Sequence, residues 1–314
     1  MLIKSQKELF IEIFNSIDFQ KIIDHPNILI AANFWDNERY CAAKTCYKFM
    51  RAIDDLIDNH KANNRMIAVE ERKEFVADVN NWLKMIIVTE ECNPEQVELI
   101  KTIERFNIPL WPINDFARSM IYDINHDGFP SLDTFLEYAQ GASVAPASIF
   151  VHLSGLTQLN GIYEDPSFDV KEAATPCSIF SYLVHIIRDF QKDHFNNLNY
   201  FADDMILKNR LTRQELRDIA HGSPVTPTFR NLVKDYYSLA DEYRQKTIDV
   251  IYKIRPLMEP RYQLSLEIIF ELYLMIFERI DLKKGKFTSF ELNPTPDETK
   301  RRVYETIMKF IPAK

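Results

Sequence analysis

Hydrophobic positions recur along most of the chain at the spacing of α-helices, in segments separated by polar breaks that contain proline. The breaks read DHPN at 24–27, NPE at 93–95, NIPLWP at 107–112 and HDGFPS at 126–131, and later ones contain DPS, HGSPVTPT and NPTP. Capping boxes from Thr212 to Glu215 and from Thr295 to Glu298 mark helix starts. Because no repeat or linker divides the chain, we predict one domain over residues 1–314, built from about ten helices.

Glycine is scarce, and this narrows the fold class. Six of 314 residues are glycine, about 2% against a usual ~7%. Glycine-rich phosphate loops, dinucleotide-binding turns and tight hairpins therefore have few residues from which to form. Hydrophobic residues make up 46% of the chain, enough for a large buried core. The composition predicts an all-α protein.

The charge and the cysteine content bear on partners and location. A net charge of −8 argues against a nucleic-acid surface, but it is compatible with an anionic substrate whose charge is neutralised by metal ions. Four cysteines with neither zinc spacing nor a disulfide framework fit a reducing cytoplasm. Because no secretory leader or long apolar run is visible, we expect a cytoplasmic protein that can still contact a membrane surface peripherally. The sequence does not indicate the oligomeric state.

The segment MRAIDDLIDNH gathers three carboxylates in a stretch with the hydrophobic spacing of a buried helix. At ~100° per residue, Tyr47, Asp54 and Asp58 fall on one stripe of that helix. Arg51 lies beside the stripe, and Asp55 follows Asp54 directly. Taken alone, such a run is more typical of a solvated acidic helix edge than of a functional site.

A second acidic cluster changes that interpretation. In LVHIIRDFQKDHFNNLNYF, Asp189 and Asp193 are again four residues apart, and His185 lies one turn before Asp189. Two helices that border their buried faces with such carboxylates can face one another across a cavity and hold magnesium ions that clamp a diphosphate. Arg51 and Arg188 would then neutralise the charge that the ions leave.

These segments resemble the aspartate motifs of the squalene and phytoene synthases, which join two prenyl diphosphates head to head. YKFMRAIDDLID is similar to the first motif of that family, and IIRDFQKD, followed by Tyr200, is similar to the second. Between them, FARSMIYDINHDGFPSLDTFLEYAQGASVAP resembles the family segment in which an aspartate precedes a tyrosine, which implies roles for Asp123 and Tyr138. LYLMIFERIDLKKGKF resembles the closing helix of these enzymes, so the likeness runs from about residue 25 to 287.

The resemblance implies an all-α, single-domain isoprenoid synthase fold with helices around a central metal and diphosphate cavity. It also implies a Mg²⁺-dependent condensation of two farnesyl or geranylgeranyl diphosphates to a squalene-, dehydrosqualene- or phytoene-type product, with release of diphosphate. A reductive finish to squalene would require NADPH. The implied metal ligands are Asp54, Asp58, Asp189, Asp193 and His185; the diphosphate contacts are Arg51, Arg188, Asp55, Asp123 and Tyr200; Tyr47 and Tyr138 would orient the diphosphate or serve its departure.

The chain departs from the family pattern at several positions. The early Ser-basic-Ser-Phe run of the family aligns with His25–Ile28 here, and a basic residue before the late tyrosine is replaced by Leu198. His185 stands where the family has an asparagine, and an imidazole suits manganese better than magnesium. If His185 is a ligand, its reference pKa of ~6.5 predicts that activity falls below about pH 6.5.

The small-residue segment GASVAPAS, from Gly141 to Ser148, predicts a helix break or kink at Gly141 and Pro146 that leaves room for a substrate. A helix-packing notch is the alternative interpretation. The 22 Phe and 14 Tyr can line a tunnel for prenyl tails, although ordinary core packing accounts for any single ring.

Two other functions stay open at this stage. A class I terpene synthase or a head-to-tail prenyltransferase would share the metal chemistry, yet chain elongators open both motifs with paired aspartates, whereas the second motif here begins Arg188-Asp189. A non-catalytic relative that acts as an assembly factor is the other alternative. Such relatives tend to lose the acidic motifs, and this chain keeps both.

Overall fold

Helices dominate the computed structural model, which describes residues 6–21, 27–64, 66–86 and 94–313. The chain is 73% helical, so the all-α prediction is confirmed. In chain order the α-helices are α1 (Gln6–Ser16), α2 (Asn27–Ala32), α3 (Asn37–Asn64), α4 (Arg72–Lys84), α5 (Pro94–Arg105), α6 (Trp111–Asn125), α7 (Leu132–Ala139), α8 (Ala145–Gly155), α9 (Val170–Arg188), α10 (Phe190–Phe195), α11 (Asp203–Lys208), α12 (Arg213–Ala220), α13 (Pro227–Ile254), α14 (Pro260–Phe277), α15 (Ser289–Leu292) and α16 (Pro296–Lys309).

The described residues form sixteen α-helices, more than predicted. The difference comes mainly from short helices such as α10, α11 and α15, which have only 4–6 residues. Helices of that length hold too few turns to show a hydrophobic period. Both predicted capping boxes are present, at Thr212 and Thr295.

A small β-hairpin was not predicted. Strands β1 (Thr157–Leu159) and β2 (Ile162–Glu164) pair antiparallel, with Leu159 opposite Ile162. Asn160 and Gly161 between them have φ values of 52° and 83°, as a two-residue hairpin turn with both central residues left-handed requires. The Asn-Gly pair was the signal for this turn in the sequence.

Of the break or kink predicted at Gly141 and Pro146, the break is absent, because the chain stays helical there. A single π-helical turn, Gln140–Val144, joins α7 to α8, and Pro146 falls in the first turn of α8. A Cβ on Gly141 would lie 2.2 Å from both the carbonyl oxygen of Asp115 and the hydroxyl of Ser119 on α6. The glycine therefore serves close packing between helices, which is the notch interpretation.

Two buried hydrophobic clusters fill the interior and adjoin at Tyr273, which packs against both. Helix α9 lies between them and packs against α8, α13 and α14, and most of its side chains are buried. A helix that is apolar on most faces is typical of a central position. None of the helices in the described ranges combines the length and apolarity needed to cross a bilayer.

Candidate active site

An elongated cavity of about 340 Å³ lies between the long helices. From α3 it is lined by Ala43, Cys46, Tyr47, Met50, Arg51 and Asp54. From α9 it is lined by Ala173, Ala174, Cys177, Ser178, Ser181 and His185. Both sets begin with small side chains and end with ionisable ones. At 1.5 Å rise per residue, each set extends over roughly 16–18 Å.

Most of the remaining wall is aliphatic. Few of the 36 phenylalanines and tyrosines reach the cavity, and the aromatic lining consists of Tyr47, Phe116, Phe150 and Tyr273. Most of the other rings pack in the core, as the simpler interpretation had it, and Phe195, Tyr252, Phe290 and Tyr304 are exposed. The small-residue segment does contribute room, because Ala142, Ser143, Pro146 and Ala147 line the cavity.

The first aspartate cluster lies at the ionisable end of this cavity, on α3. Arg51 donates hydrogen bonds to both Asp54 and Asp55. Asp58, one turn further, has no hydrogen bond or ion pair with any group in the described part of the chain. Burial raises the pKa of Asp54 to about 6 and that of Asp58 to about 7, and the charge of Asp123 adds to both shifts. The carboxylates of Asp54, Asp58 and Asp123 therefore repel one another, and the nearby positive charges do not cancel this repulsion.

The second cluster lies where α9 gives way to α10. The prediction of one continuous helix is wrong here, because α9 ends at Arg188 and Asp189 joins it to α10. The spacing survives, since the backbone N–H groups of Asp189 and Asp193 still donate to the carbonyls four residues earlier. The guanidinium of Arg188 donates two hydrogen bonds, of 2.8 and 2.5 Å, to the carboxylate of Asp189. Burial acts to raise the pKa of Asp189, but the bonds and charge of Arg188 outweigh it and lower that pKa.

The two clusters face one another. Burial and the charges of Asp189 and Asp58 raise the pKa of Asp193. The side-chain carboxylate of Asp193, like that of Asp58, has no hydrogen bond or ion pair with a described residue. Asn197, just after α10, donates a 3.0 Å bond to the carbonyl of Ala62 near the end of α3. This hydrogen bond holds the C-terminal ends of α3 and α10 close together.

The donor set fits a hard divalent cation. Carboxylate oxygens are the ligands that Mg²⁺ and Mn²⁺ prefer, and the partly buried carboxylates of Asp58 and Asp193 keep raised pKa values despite the charges of Lys61 and Lys192. Among the described residues, no three Asp, Glu, His or Cys side chains converge into one ready-made metal site. A cation held here would therefore need further ligands, such as water or a phosphate oxygen.

His185 lies on the cavity wall with its Nε2 buried and without a hydrogen bond. Its ring meets Tyr273 edge-on at 5.0 Å between ring centres. Burial, aided by the charge of Arg188, lowers the pKa of His185 to about 3. The reference pKa of ~6.5 does not apply to this ring, so a loss of activity below about pH 6.5 is not expected from its protonation.

Asp123 and Tyr138 lie together beside the first cluster. Asp123 is buried on α6, and the hydroxyl of Tyr138, on α7, donates to its Oδ2. Burial and the neighbouring carboxylate hold the pKa of Tyr138 far above the usual range, so it is an uncharged phenol. Tyr200 lies near the same carboxylates. Burial raises its pKa, and the charges of Asp58 and Asp123 raise it further.

The sequence interpretation missed two residues of this group. Lys61 on α3 is 5% exposed, and its Nζ lies 3.3 Å from Oδ1 of Asp123. Tyr182 on α9 lies between Tyr138 and Tyr200, with ring centres 6.4 and 6.1 Å away. Helical spacing was the available signal, because Lys61 follows Asp58 by three residues and Tyr182 precedes His185 by three.

The positions that depart from the family pattern are only partly described. His25 and Pro26 lie outside the described residues, whereas Ile28 lines the cavity. Leu198 lies next to the second cluster, where its backbone N–H donates a 2.8 Å bond to the carbonyl of Asp193. The segment after α10 is thus tied to the second motif through the backbone.

The chain is similar to known proteins both in sequence pattern and in fold. A family model for squalene/phytoene synthase matches residues 26–303. The chain is similar to the crystal structure of a dehydrosqualene synthase in complex with a ligand, at 13% identity and a TM-score of 0.66, covering 96% of this chain and 99% of that one. No protein with a curated description matches.

Two further solved structures share the fold. YisP from Bacillus subtilis matches at 14% identity and a TM-score of 0.61, covering 96% of this chain and 100% of that one. The squalene synthase HpnC from Alicyclobacillus acidocaldarius matches at 12% identity and a TM-score of 0.61, covering 85% of this chain and 91% of that one. At these identities the structural likeness establishes the fold.

Proposed function

Because the chain belongs to the squalene/phytoene synthase family, we propose that it joins two prenyl diphosphates head to head in a reaction that depends on Mg²⁺ or Mn²⁺. The substrates are farnesyl or geranylgeranyl diphosphate. The product is of the squalene, dehydrosqualene or phytoene type, and NADPH enters only if the product is squalene. We place the reaction in the cytoplasm, with peripheral membrane contact as a route for the apolar product.

The polarity of the cavity is the observation that carries this proposal. Along both α3 and α9 the wall changes from small apolar residues to ionisable ones in the same chain direction, ending at Asp54 and His185. The two ionisable ends meet, as the electrostatic coupling of Asp58 with Asp193 requires. Such a cavity suits a molecule with a hydrocarbon tail and an anionic head.

Four aspartates would hold the metal ions: Asp54, Asp58, Asp189 and Asp193. Bound cations would supply charge neutralisation for the departing diphosphate. Arg51 and Arg188 now pair with aspartates of their own motifs. Both arginines are positioned to exchange those partners for diphosphate oxygens, and Arg188 already presents the two-pronged geometry that suits phosphate.

Tyr138 acts in this proposal as an orienting group. Its O–H donates to Asp123, and the side chain of Tyr182 also forms a hydrogen bond with Tyr138, so both neighbours fix the position of the phenol. Tyr47 contributes an aromatic face to the cavity wall beside Arg51. An allylic carbocation needs shielding from water and diffuse negative charge, and the aromatic and aliphatic wall supplies both.

The test is incubation of the purified protein with farnesyl diphosphate or geranylgeranyl diphosphate, with Mg²⁺ or Mn²⁺ and with or without NADPH. Diphosphate release and extracted hydrocarbons are both measured. We expect a head-to-head hydrocarbon from the wild type and a loss on the order of 10³ in Asp189→Asn, which removes a carboxylate charge. Asp249→Asn, an exposed aspartate on α13, is the matched control and should keep full activity.

Other reaction products would contradict this proposal. A head-to-tail chain or a cyclised terpene would identify the chain as a different class I prenyltransferase. No diphosphate release from either substrate with either metal would leave a non-catalytic assembly role as the better account.

A further inference from the structure

Lys61 is a buried lysine inside an acidic cluster. It lies on α3, three residues after Asp58 and seven after Asp54, so all three side chains share one face of the helix. Only 5% of Lys61 is exposed. A buried ammonium group is costly unless anionic partners surround it, so its position calls for a specific partner.

That partner is Asp123. The Nζ of Lys61 lies 3.3 Å from Oδ1 of Asp123 and donates to the backbone carbonyl of His126, also at 3.3 Å. The other carboxylate oxygen of Asp123 accepts the hydroxyl of Tyr138. The backbone carbonyl of Tyr138 accepts a 2.8 Å bond from Ser119, which holds the tyrosine in place. Each oxygen of Asp123 thus has a donor from the protein.

Two of the other carboxylates, Asp58 and Asp193, differ from Asp123 in this respect. Asp58 and Asp193 have no donor among the described residues, although both lie in the same electrostatic cluster. A divalent cation gains most where carboxylate charge is uncompensated and oxygen lone pairs are free. The carboxylate oxygens of Asp58 and Asp193 accept no hydrogen bond from a described residue, whereas both oxygens of Asp123 do.

We propose that Lys61 is a positioning residue: its ammonium takes the place that a divalent cation would otherwise take beside Asp123, and it thereby keeps Asp123 as the acceptor of the Tyr138 hydroxyl. The ammonium divides the cluster into a metal-binding part and a part that orients Tyr138. The catalytic meaning of this division rests on the proposed function, whereas the division itself is a property of the protein without substrate.

Counting bound Mn²⁺ tests the division directly. Electron paramagnetic resonance measures free Mn²⁺ in equilibrium with metal-free protein at pH 7.5, without diphosphate. Lys61→Met should bind one more Mn²⁺ per chain than the wild type, because Asp123 is left as an uncompensated carboxylate. Lys61→Arg, which keeps the charge, should bind the wild-type number.

The double variant Lys61→Met/Asp123→Asn removes both charges and should also bind the wild-type number. It keeps the test decisive if Lys61→Met alone fails to fold, because it leaves no unpaired buried charge. Fewer ions in the double variant than in the wild type would mean that Asp123 is a metal ligand, and this would overturn the proposal. An unchanged count in folded Lys61→Met would overturn it as well, and would leave Lys61 with a structural role only.

A double-mutant cycle, in which kcat is measured for Lys61→Met, Tyr138→Phe and the double variant, then tests whether Lys61 acts through Tyr138. If it does, Lys61→Met should lower kcat by about tenfold or more in the wild-type background and cause little further loss in Tyr138→Phe. Independent, multiplicative losses would contradict the connection. If the wild type makes no prenyl product, the proposed function fails while the Mn²⁺ counts still decide the role of Lys61.

Discussion

Replacing Asp58 with asparagine should make the metal-free protein more stable at pH 8 while removing its activity. The carboxylate is partly buried, has no hydrogen bond with a described residue, and lies near Asp54 and Asp123. Its pKa is raised from 3.8 to about 7 by burial and by those two charges. An ionised Asp58 therefore costs free energy in the folded state.

The magnitude follows from the raised pKa. The folded-state value lies about 3 above the ordinary one, and one pKa unit corresponds to ~1.36 kcal/mol, so the upper bound is about 4 kcal/mol. Partial exposure and the lost attraction to Lys61 reduce this, and we expect Asp58→Asn to gain about 1–3 kcal/mol at pH 8. The cost is absent well below pH 4, where the carboxyl is protonated in both states; it grows between about pH 4 and pH 7 and is constant at higher pH.

Urea unfolding in the presence of a chelator measures the effect. Wild type and Asp58→Asn are compared at pH 4.5 and pH 8, with Asp249→Asn as the exposed control that should change neither value. The stability difference between Asp58→Asn and wild type should be larger at pH 8 than at pH 4.5. Equal or lower stability of Asp58→Asn at pH 8 would refute the reasoning, because it would show that this carboxylate is compensated in the metal-free protein.

The same variant separates stability from metal binding. Mg²⁺ with inorganic diphosphate should raise the Tm of the wild type, since cations would relieve the repulsion that destabilises it. Asp58→Asn should gain much less under the same conditions, and its prenyl transfer should fall on the order of 10³. A stabilised but inactive protein is the expected result of removing a charge that serves function at the expense of the fold.

Two further predictions concern the small-residue turn and the histidine. Gly141→Ala should lower stability by about 2 kcal/mol or more in urea unfolding, because the new Cβ would lie 2.2 Å from the backbone of Asp115 and from Ser119; an unchanged midpoint would show that the contact relaxes freely. If His185 is a metal ligand, Mn²⁺ should support wild-type activity at least as well as Mg²⁺, and His185→Asn should shift the preference to Mg²⁺. Because burial lowers the pKa of His185 to about 3, the activities of both proteins should vary alike between pH 5 and 7, and an unchanged metal preference would exclude His185 as a ligand.

Much of the fold was predictable from local patterns. Helical periodicity and the scarcity of glycine predicted an all-α protein, and this is confirmed. The predicted capping boxes at Thr212 and Thr295 are also confirmed. The Asn160-Gly161 turn carried an equally local signal that was overlooked. The π-helical turn at Gly141 was not accessible in the same way, because it depends on how closely another helix approaches.

Some properties of the candidate site were likewise predictable from local spacing, and others were not. Helical spacing on α3 places Asp54 with Asp58, because a helix repeats every 3.6 residues. Four-residue backbone hydrogen bonds keep the same spacing for Asp189 and Asp193, although the chain there passes from α9 to α10. The chemistry that suits a cation and a diphosphate was therefore visible in the two segments.

Packing between distant segments settled the remaining properties of the site. Lys61 and Asp123 are 62 residues apart in the chain, and their contact exists because α3 packs against α6. The burial of His185 and the raised pKa values of Asp58 and Asp193 likewise depend on which helices exclude water around them. Local spacing determines which side chains share a face, whereas burial and charge pairing depend on the neighbours that the fold brings to that face.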